Sequence, residues 1–149
     1  MYFPYLCFIV KIKDCKYSRC LYFTSAALAR KVEKLATESW KKVNLSPSLA
    51  YLLMTVLDEP GIQPSNLSAQ IQLQPSTVTR LIEKLEEKKL LVRTTEGKIT
   101  NVYPTPKAKE LHPKLKECLV HFYETYSSLL GKEESGRLIA AMGKVVDKL

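Results

Sequence analysis

One short pattern occurs twice in this chain, eleven residues apart. Ile62-Gln63-Pro64-Ser65-Asn66-Leu67 and Leu73-Gln74-Pro75-Ser76-Thr77-Val78 both read apolar, Gln, Pro, Ser, polar, apolar. Proline suits the first position of a helix, because the N–H it lacks would have no intrahelical partner there. With Pro64 and Pro75 at that position, Ile62 and Leu67, and likewise Leu73 and Val78, stand at the two ends of a hydrophobic staple, which fixes the angle at which the chain enters a helix. Two helix starts so close together leave the first helix only about two turns, and that is helix-turn-helix spacing.

The elements around this pair follow from local signals. Leu28, Val32, Leu35, Trp40 and Val43 recur at helical spacing between about Leu21 and Val43. Ser46-Pro47 then opens a second helix through Leu49, Leu52, Leu53, Val56 and Leu57, closed by Pro60-Gly61. Apolar around most of its circumference, it belongs at the centre of the core. The two short helices fall at about 64–71 and 75–88, the second burying Val78, Leu81, Ile82 and Leu85. Leu90 to Arg93 and Ile99 to Tyr103 have strand character on either side of Gly97, which predicts a β-hairpin, or wing. Thr105-Pro106 opens a long helix with an apolar stripe from Leu111 to Leu129. Pro113 is expected to kink or split it, and Gly131 to end it. A last helix begins at Glu133 or Glu134 and carries Leu138, Met142, Val145 and Leu149. Tyr2 to Val10 reads as a strand, a packed arm, or a segment upstream of the natural start. The fold class is mainly α with a small β wing, a winged helix-turn-helix flanked by long amphipathic helices.

A formal charge of +8 suits a polyanionic partner without proving one. The excess is concentrated elsewhere than the short helices: residues 1–45 hold 9 Lys and Arg against 3 Asp and Glu, residues 61–105 hold 6 against 4. Four cysteines, unevenly spaced, do not make a secreted disulfide framework. No basic residues precede the apolar run at Tyr2, no cleavage site follows it, and it is too short to span a bilayer. A cytoplasmic protein without membrane attachment is the expectation. No phosphate loop or nucleophile motif appears, and two histidines offer little acid–base chemistry, so an enzyme is not expected and no cofactor is implied. Cys118, His112 and His121 share a helix but make no full metal-ligand set, and Cys118 fits the apolar stripe.

The order helix, helix, helix-turn-helix, wing, helix, helix resembles the multiple-antibiotic-resistance regulator (MarR) family of bacterial transcription factors. The resemblance rests on Leu67-Ser68-Ala69, on the run Pro75 to Glu86 with its Ser-Thr-Val-Thr-Arg-Leu-Ile-Glu-Lys-Leu core, on Lys88 to Arg93, and on Pro104 to Leu111. It covers about residues 21 to 149. Family members commonly carry an Asp-x-Arg pair in the wing and a Leu-Thr-x-x-Gly run after it. Here Glu96-Gly97-Lys98 and Pro104-Thr105-Pro106-Lys107-Ala108 stand in those places, Lys98 is the nearest substitute for the wing arginine, and Lys89 occupies a position where the family often has glycine.

The resemblance implies a homodimer that binds double-stranded DNA. It divides the chain into an arm (1–20), a dimerisation helix (21–45), a winged helix-turn-helix module (46–105) and C-terminal dimerisation helices (106–149). A helix in the major groove needs short polar groups near its N-terminus and a long donor for base edges. Ser76, Thr77 and Thr79 supply the first, and Arg80 supplies a fork that can bond guanine O6 and N7 together; the competing reading is that Arg80 only pairs with Glu83. Lys84, Arg93 and Lys98 are candidate phosphate contacts, or solvated surface charges. The family's effector pocket, for a small molecule, has Tyr22, Phe23, Trp40 and Tyr51 as candidate lining, or these aromatics are plain core. Some relatives sense peroxides through an N-terminal cysteine, and Cys20, with Arg19 and Lys16 nearby to depress a thiol pKa, is the candidate here. A winged helix serving as a protein-interaction module is the remaining alternative.

Overall fold

The computed structural model describes residues 10–149. These fall into two compact units, one ending at Lys34 and one spanning Leu35–Leu149. The apolar run from Tyr2 lies, apart from Val10, outside the described residues. In the first unit a single 3₁₀ turn, Ile12–Asp14, precedes α1 (Leu21–Trp40), whose last residues belong to the second unit. The start of α1 is tied back locally: Cys20 N–H donates to the Tyr17 carbonyl at 2.9 Å and the Thr24 hydroxyl to the Ser18 carbonyl at 3.1 Å.

In the second unit α1 gives way to a 3₁₀ turn, Lys41–Val43, and stops at Asn44 in the left-handed conformation. Helix α2 (Pro47–Asp58) starts as its sequence predicts. The Ser46 hydroxyl accepts from Leu49 N–H at 3.4 Å, and Pro47 sits in the first turn. Leu49, Ala50, Leu52, Leu53, Met54 and Val56 are all buried, so α2 is the central rod of the core. Helices α3 (Pro64–Ile71) and α4 (Pro75–Glu87) follow at the two predicted proline starts. Both staples close onto one core: Ile62, Leu67 and Val78 are buried in it and Leu73 packs against it.

Strands β1 (Leu91–Glu96) and β2 (Ile99–Pro104) pair antiparallel, from Leu91 opposite Pro104 to Glu96 opposite Ile99. Gly97, with φ of 62°, supplies the positive dihedral that a two-residue hairpin turn needs. An isolated bridge that the periodicity did not reveal adjoins this two-stranded sheet. Gly61 N–H donates to the Val102 carbonyl at 2.8 Å and Val102 N–H to the Ile62 carbonyl at 3.0 Å, so the link between α2 and α3 pairs with the wing. Gly61 is required there: its φ is 89°, and a Cβ would stand 3.1 Å from the Tyr103 ring.

Helix α5 (Pro106–Leu130) is capped by Thr105, whose hydroxyl accepts from Ala108 N–H at 3.2 Å. Of the kink or split expected at Pro113, the split does not occur: α5 is one continuous helix. Pro113 and Lys109 are both exposed, so water can take the carbonyl that the missing N–H leaves free. Gly131, with φ of 88°, separates α5 from α6 (Lys132–Val146). No helix among the described residues is long and apolar enough to cross a membrane.

Candidate nucleic-acid interface

The outward face of α4 is built by what its other face buries. Val78, Leu81, Ile82 and Leu85 are anchored in the core, each worth about 1.5–3 kcal/mol of apolar burial. At helical spacing this turns Ser76, Thr77, Thr79, Arg80, Glu83 and Lys84 outward, and all six are exposed. Thr79 returns its hydroxyl to the Pro75 carbonyl at 3.0 Å. Arg80 makes no hydrogen bond or ion pair among the described residues, so the pairing with Glu83 does not form.

Two capping patterns separate the helices of this unit. Ser46 and Thr105 cap α2 and α5 with their hydroxyls, whereas Gln63 and Gln74, ahead of α3 and α4, make no side-chain cap bond. Neither α3 nor α4 has an acid in its first turn. The positive end of the α4 dipole is therefore offset by no side chain of its own first turn.

Both ends of the turn between α3 and α4, and the exit from α4, are pinned. Leu73 N–H donates to the Ser68 carbonyl at 3.2 Å, with Gln72 left-handed at φ 53°. The same device closes α4. Leu90 N–H reaches the Leu85 carbonyl at 2.9 Å, Lys89 N–H the Glu86 carbonyl at 2.8 Å, and Lys89 takes φ of 59°. Glycine would adopt this left-handed exit without strain. The exit is also held from α5: the Thr105 hydroxyl donates to the Lys89 carbonyl at 2.8 Å, and Lys107 Nζ to the Lys88 carbonyl at 3.0 Å.

Of the candidate phosphate contacts, Lys84 and the wing-tip Lys98 are exposed. Arg93 is not free. Its Nε donates to Glu86 Oε1 at 3.0 Å and its Nη2 to Glu86 Oε2 at 2.7 Å, and this bond, above all, raises the guanidinium pKa. Sequence reasoning missed this pairing, since no local pattern links Glu86 with Arg93.

The candidate effector residues divide between the units. Tyr22, 81% exposed, and Phe23, 6.2 Å from the Tyr17 ring, belong to the first. Trp40 and Tyr51 belong to the second, with ring centroids 5.2 Å apart. Sequence reasoning missed two companions, Phe122 at 5.7 Å from Trp40 and Tyr126 at 5.1 Å from Phe122; both lay in the predicted apolar stripe of α5. Trp40 is fully buried, and its indole N–H has no partner among the described residues. Cys20 is an exposed free thiol, whereas Cys118 is buried in the core. His121 Nδ1 lies 3.1 Å from the buried Ser39 hydroxyl.

A staple-started helix pair, a polar outward face on the second helix and a hairpin beside it define a winged helix-turn-helix protein. Residues 45–96 match the MarR family. Over those residues the chain resembles the transcriptional regulators of that family. Among curated proteins it is similar to the uncharacterized HTH-type transcriptional regulator YybA of Bacillus subtilis, 26% identical over 121 residues, which cover 79% of this chain and 81% of that one. Among solved structures it is similar to the transcriptional repressor CouR bound to p-coumaroyl-CoA, with a TM-score of 0.82 at 17% identity over 93% of this chain and 100% of that one. It is also similar to the S. aureus MepR–DNA complex, with a TM-score of 0.74 at 18% identity over 86% of this chain and 96% of that one. At those identities the two structures speak for the fold.

Proposed function

We propose that the chain is a cytoplasmic repressor that binds double-stranded DNA sequence-specifically, as a homodimer on a pseudo-palindromic operator, and is released by a small-molecule effector. The observation that carries this reading is the outward face of α4. It presents Ser76, Thr77, Thr79 and Arg80 beside a helix N-terminus with no side-chain cap, and Pro75, in the first turn, is the one apolar residue exposed on α4. A protein-docking helix would expose apolar anchors there. The MepR structure, of the same fold, is a DNA complex, and CouR is a repressor bound to a small molecule; both support extending those properties to this chain.

A second copy is supported by apolar surface on the C-terminal helices. Val120, Leu129, Leu130, Ile139 and Val146 are each at least 50% exposed. Residues 21–45 and 106–149 are accordingly assigned to dimerisation, 46–105 to DNA, and 1–20 to an arm. In a symmetric dimer two copies of α4 lie about one DNA turn apart and read matching half-sites.

The test is selection of bound duplexes from a random pool, followed by gel shifts on the recovered sequence across a salt series and by light scattering for mass. The reading expects an inverted repeat with half-site centres about 10 base pairs apart. A protein that recovers no common sequence, and binds random duplex no better than a neutral protein does, is instead a protein-interaction module.

A further inference from the structure

Glu86 and Arg93 join the recognition helix to the wing by a bond that its chemistry makes directional. A guanidinium that meets a carboxylate through two nitrogens is held in one plane, unlike an ammonium acting as a point charge. Here the two bonds are 3.0 and 2.7 Å long. The side chains are only 34% and 27% exposed, so the pair is partly sheltered from the screening that weakens surface pairs. Glu86 lies in the last turn of α4, two residues beyond Lys84, and Arg93 is the third residue of β1, five before Lys98. Between them the backbone passes through the left-handed turn at Lys89. The pair therefore adds a side-chain tie across the turn that separates the base-reading face from the wing tip.

We infer that Arg93 is a positioning residue and not a phosphate ligand: clasped to Glu86, it sets the angle at which the wing leaves α4, so that Lys98 and the α4 face meet one duplex together. This rests on the DNA-binding reading proposed above. It separates two roles for a cation beside DNA that charge alone does not distinguish.

The two roles give opposite signs for one substitution. Glu86→Gln removes a negative charge near the duplex. If Arg93 were a phosphate ligand restrained by Glu86, that change would leave operator affinity equal or higher. As a positioning clasp, its loss lowers operator affinity, by roughly fivefold to tenfold, within the usual range of coupling through one contact. Arg93→Met lowers affinity by a similar factor and leaves the salt slope unchanged, and Arg93→Lys, which keeps the charge but not the fork, does not rescue.

The experiment measures affinity for the selected operator across a salt series with the full chain, its Glu86→Gln, Arg93→Met and Arg93→Lys variants, and Glu86→Gln combined with Lys98→Ala. In the combined variant the Glu86 change is expected to cost about twofold or less, because the wing contact it served is already gone. The inference is overturned if Glu86→Gln binds as well as or better than the unaltered protein. It is equally overturned if Arg93→Met lowers the salt slope by about one and Arg93→Lys restores it, as a phosphate contact requires, or if the Glu86 and Lys98 effects add in full. Should either single variant unfold, the exchanged pair Glu86→Arg with Arg93→Glu decides: restored operator binding supports positioning, and continued loss in a folded protein overturns it. An unaltered protein that binds no duplex at all removes the DNA-binding reading and this inference with it, whereas the wrong sign in a protein that does bind removes only the inference.

Discussion

Ser68 and Leu73 hold each other twice: the Leu73 N–H donates to the Ser68 carbonyl, and the Ser68 hydroxyl donates to the Leu73 carbonyl. These reciprocal bonds close the turn between the two short helices, and so set how α4 is presented. Ser68 is only 7% exposed, which leaves little room for water to replace its hydroxyl. Ser68→Ala is expected to destabilise by about 1–3 kcal/mol, the cost of leaving a buried polar group unpaired. Urea unfolding should show a lower midpoint at unchanged slope. An unchanged midpoint would mean that the turn is held by its backbone alone.

Lys89 carries a penalty that the sequence need not bear. Its φ of 59° is a conformation in which a side chain crowds the backbone, and both bonds of the α4 exit depend on it. Lys89→Gly removes the crowding, partly offset by the greater freedom glycine has in the unfolded chain. The net expectation is about 0.5–1 kcal/mol of added stability, which for a chain of this size raises Tm by about 1–4 °C. A fall in Tm would show that contacts of the Lys89 side chain outweigh its backbone strain.

What could be read in the sequence was local, and what could not was not. Pro64 and Pro75, their staples, the Ser46 and Thr105 caps and the Gly97 turn each act within a few residues, so spacing alone places them. The bridge from Ile62 to Val102 joins segments forty residues apart, and nothing near either residue announces it. The left-handed turns at Gln72 and Lys89 have no glycine to mark them. Pro113 does not split α5, because it and Lys109, whose carbonyl loses its N–H partner, both face water. At the candidate interface, periodicity sorted buried from exposed residues of α4 correctly. The capture of Arg93 by Glu86 needed the wing folded back beside the helix end. The aromatics Phe122 and Tyr126 joined Trp40 only once α5 was packed against the residues that follow α1.

Stability should fall at alkaline pH, and from a definite source. Burial raises the Cys118 thiol pKa, with Lys42 opposing in part, and burial followed by Tyr126 raises that of the Tyr51 phenol. In each case the unfolded chain releases its proton at lower pH than the folded one. The contribution to stability is thus complete below the ordinary thiol pKa, about 8.5, and is lost as pH rises through it, with the phenol following near pH 10. Urea midpoints should decline from pH 8 upward, and Cys118→Ala should flatten the first part of that decline. A midpoint that climbs over this range contradicts the assignment. Thiol reagents should leave Cys118 unmodified in the folded protein while Cys20 reacts.

Arg80 and Lys98 should fail in different ways when truncated. Arg80 stands free on the outward face of α4, and a guanidinium reaching guanine O6 and N7 discriminates by about 1–3 kcal/mol. Arg80→Ala is therefore expected to weaken operator binding by that amount and to relax preference at one base position of each half-site. Lys98, at the exposed wing tip, has only its charge to offer to a phosphate. Lys98→Ala should weaken operator and random duplex by similar factors and reduce the salt slope by about one. Repeating the random-pool selection with each variant separates the two, because only the Arg80 change alters the recovered sequence. If Arg80→Ala binds the operator with unchanged affinity, α4 does not lie in the groove as proposed, and the outward face has some other partner.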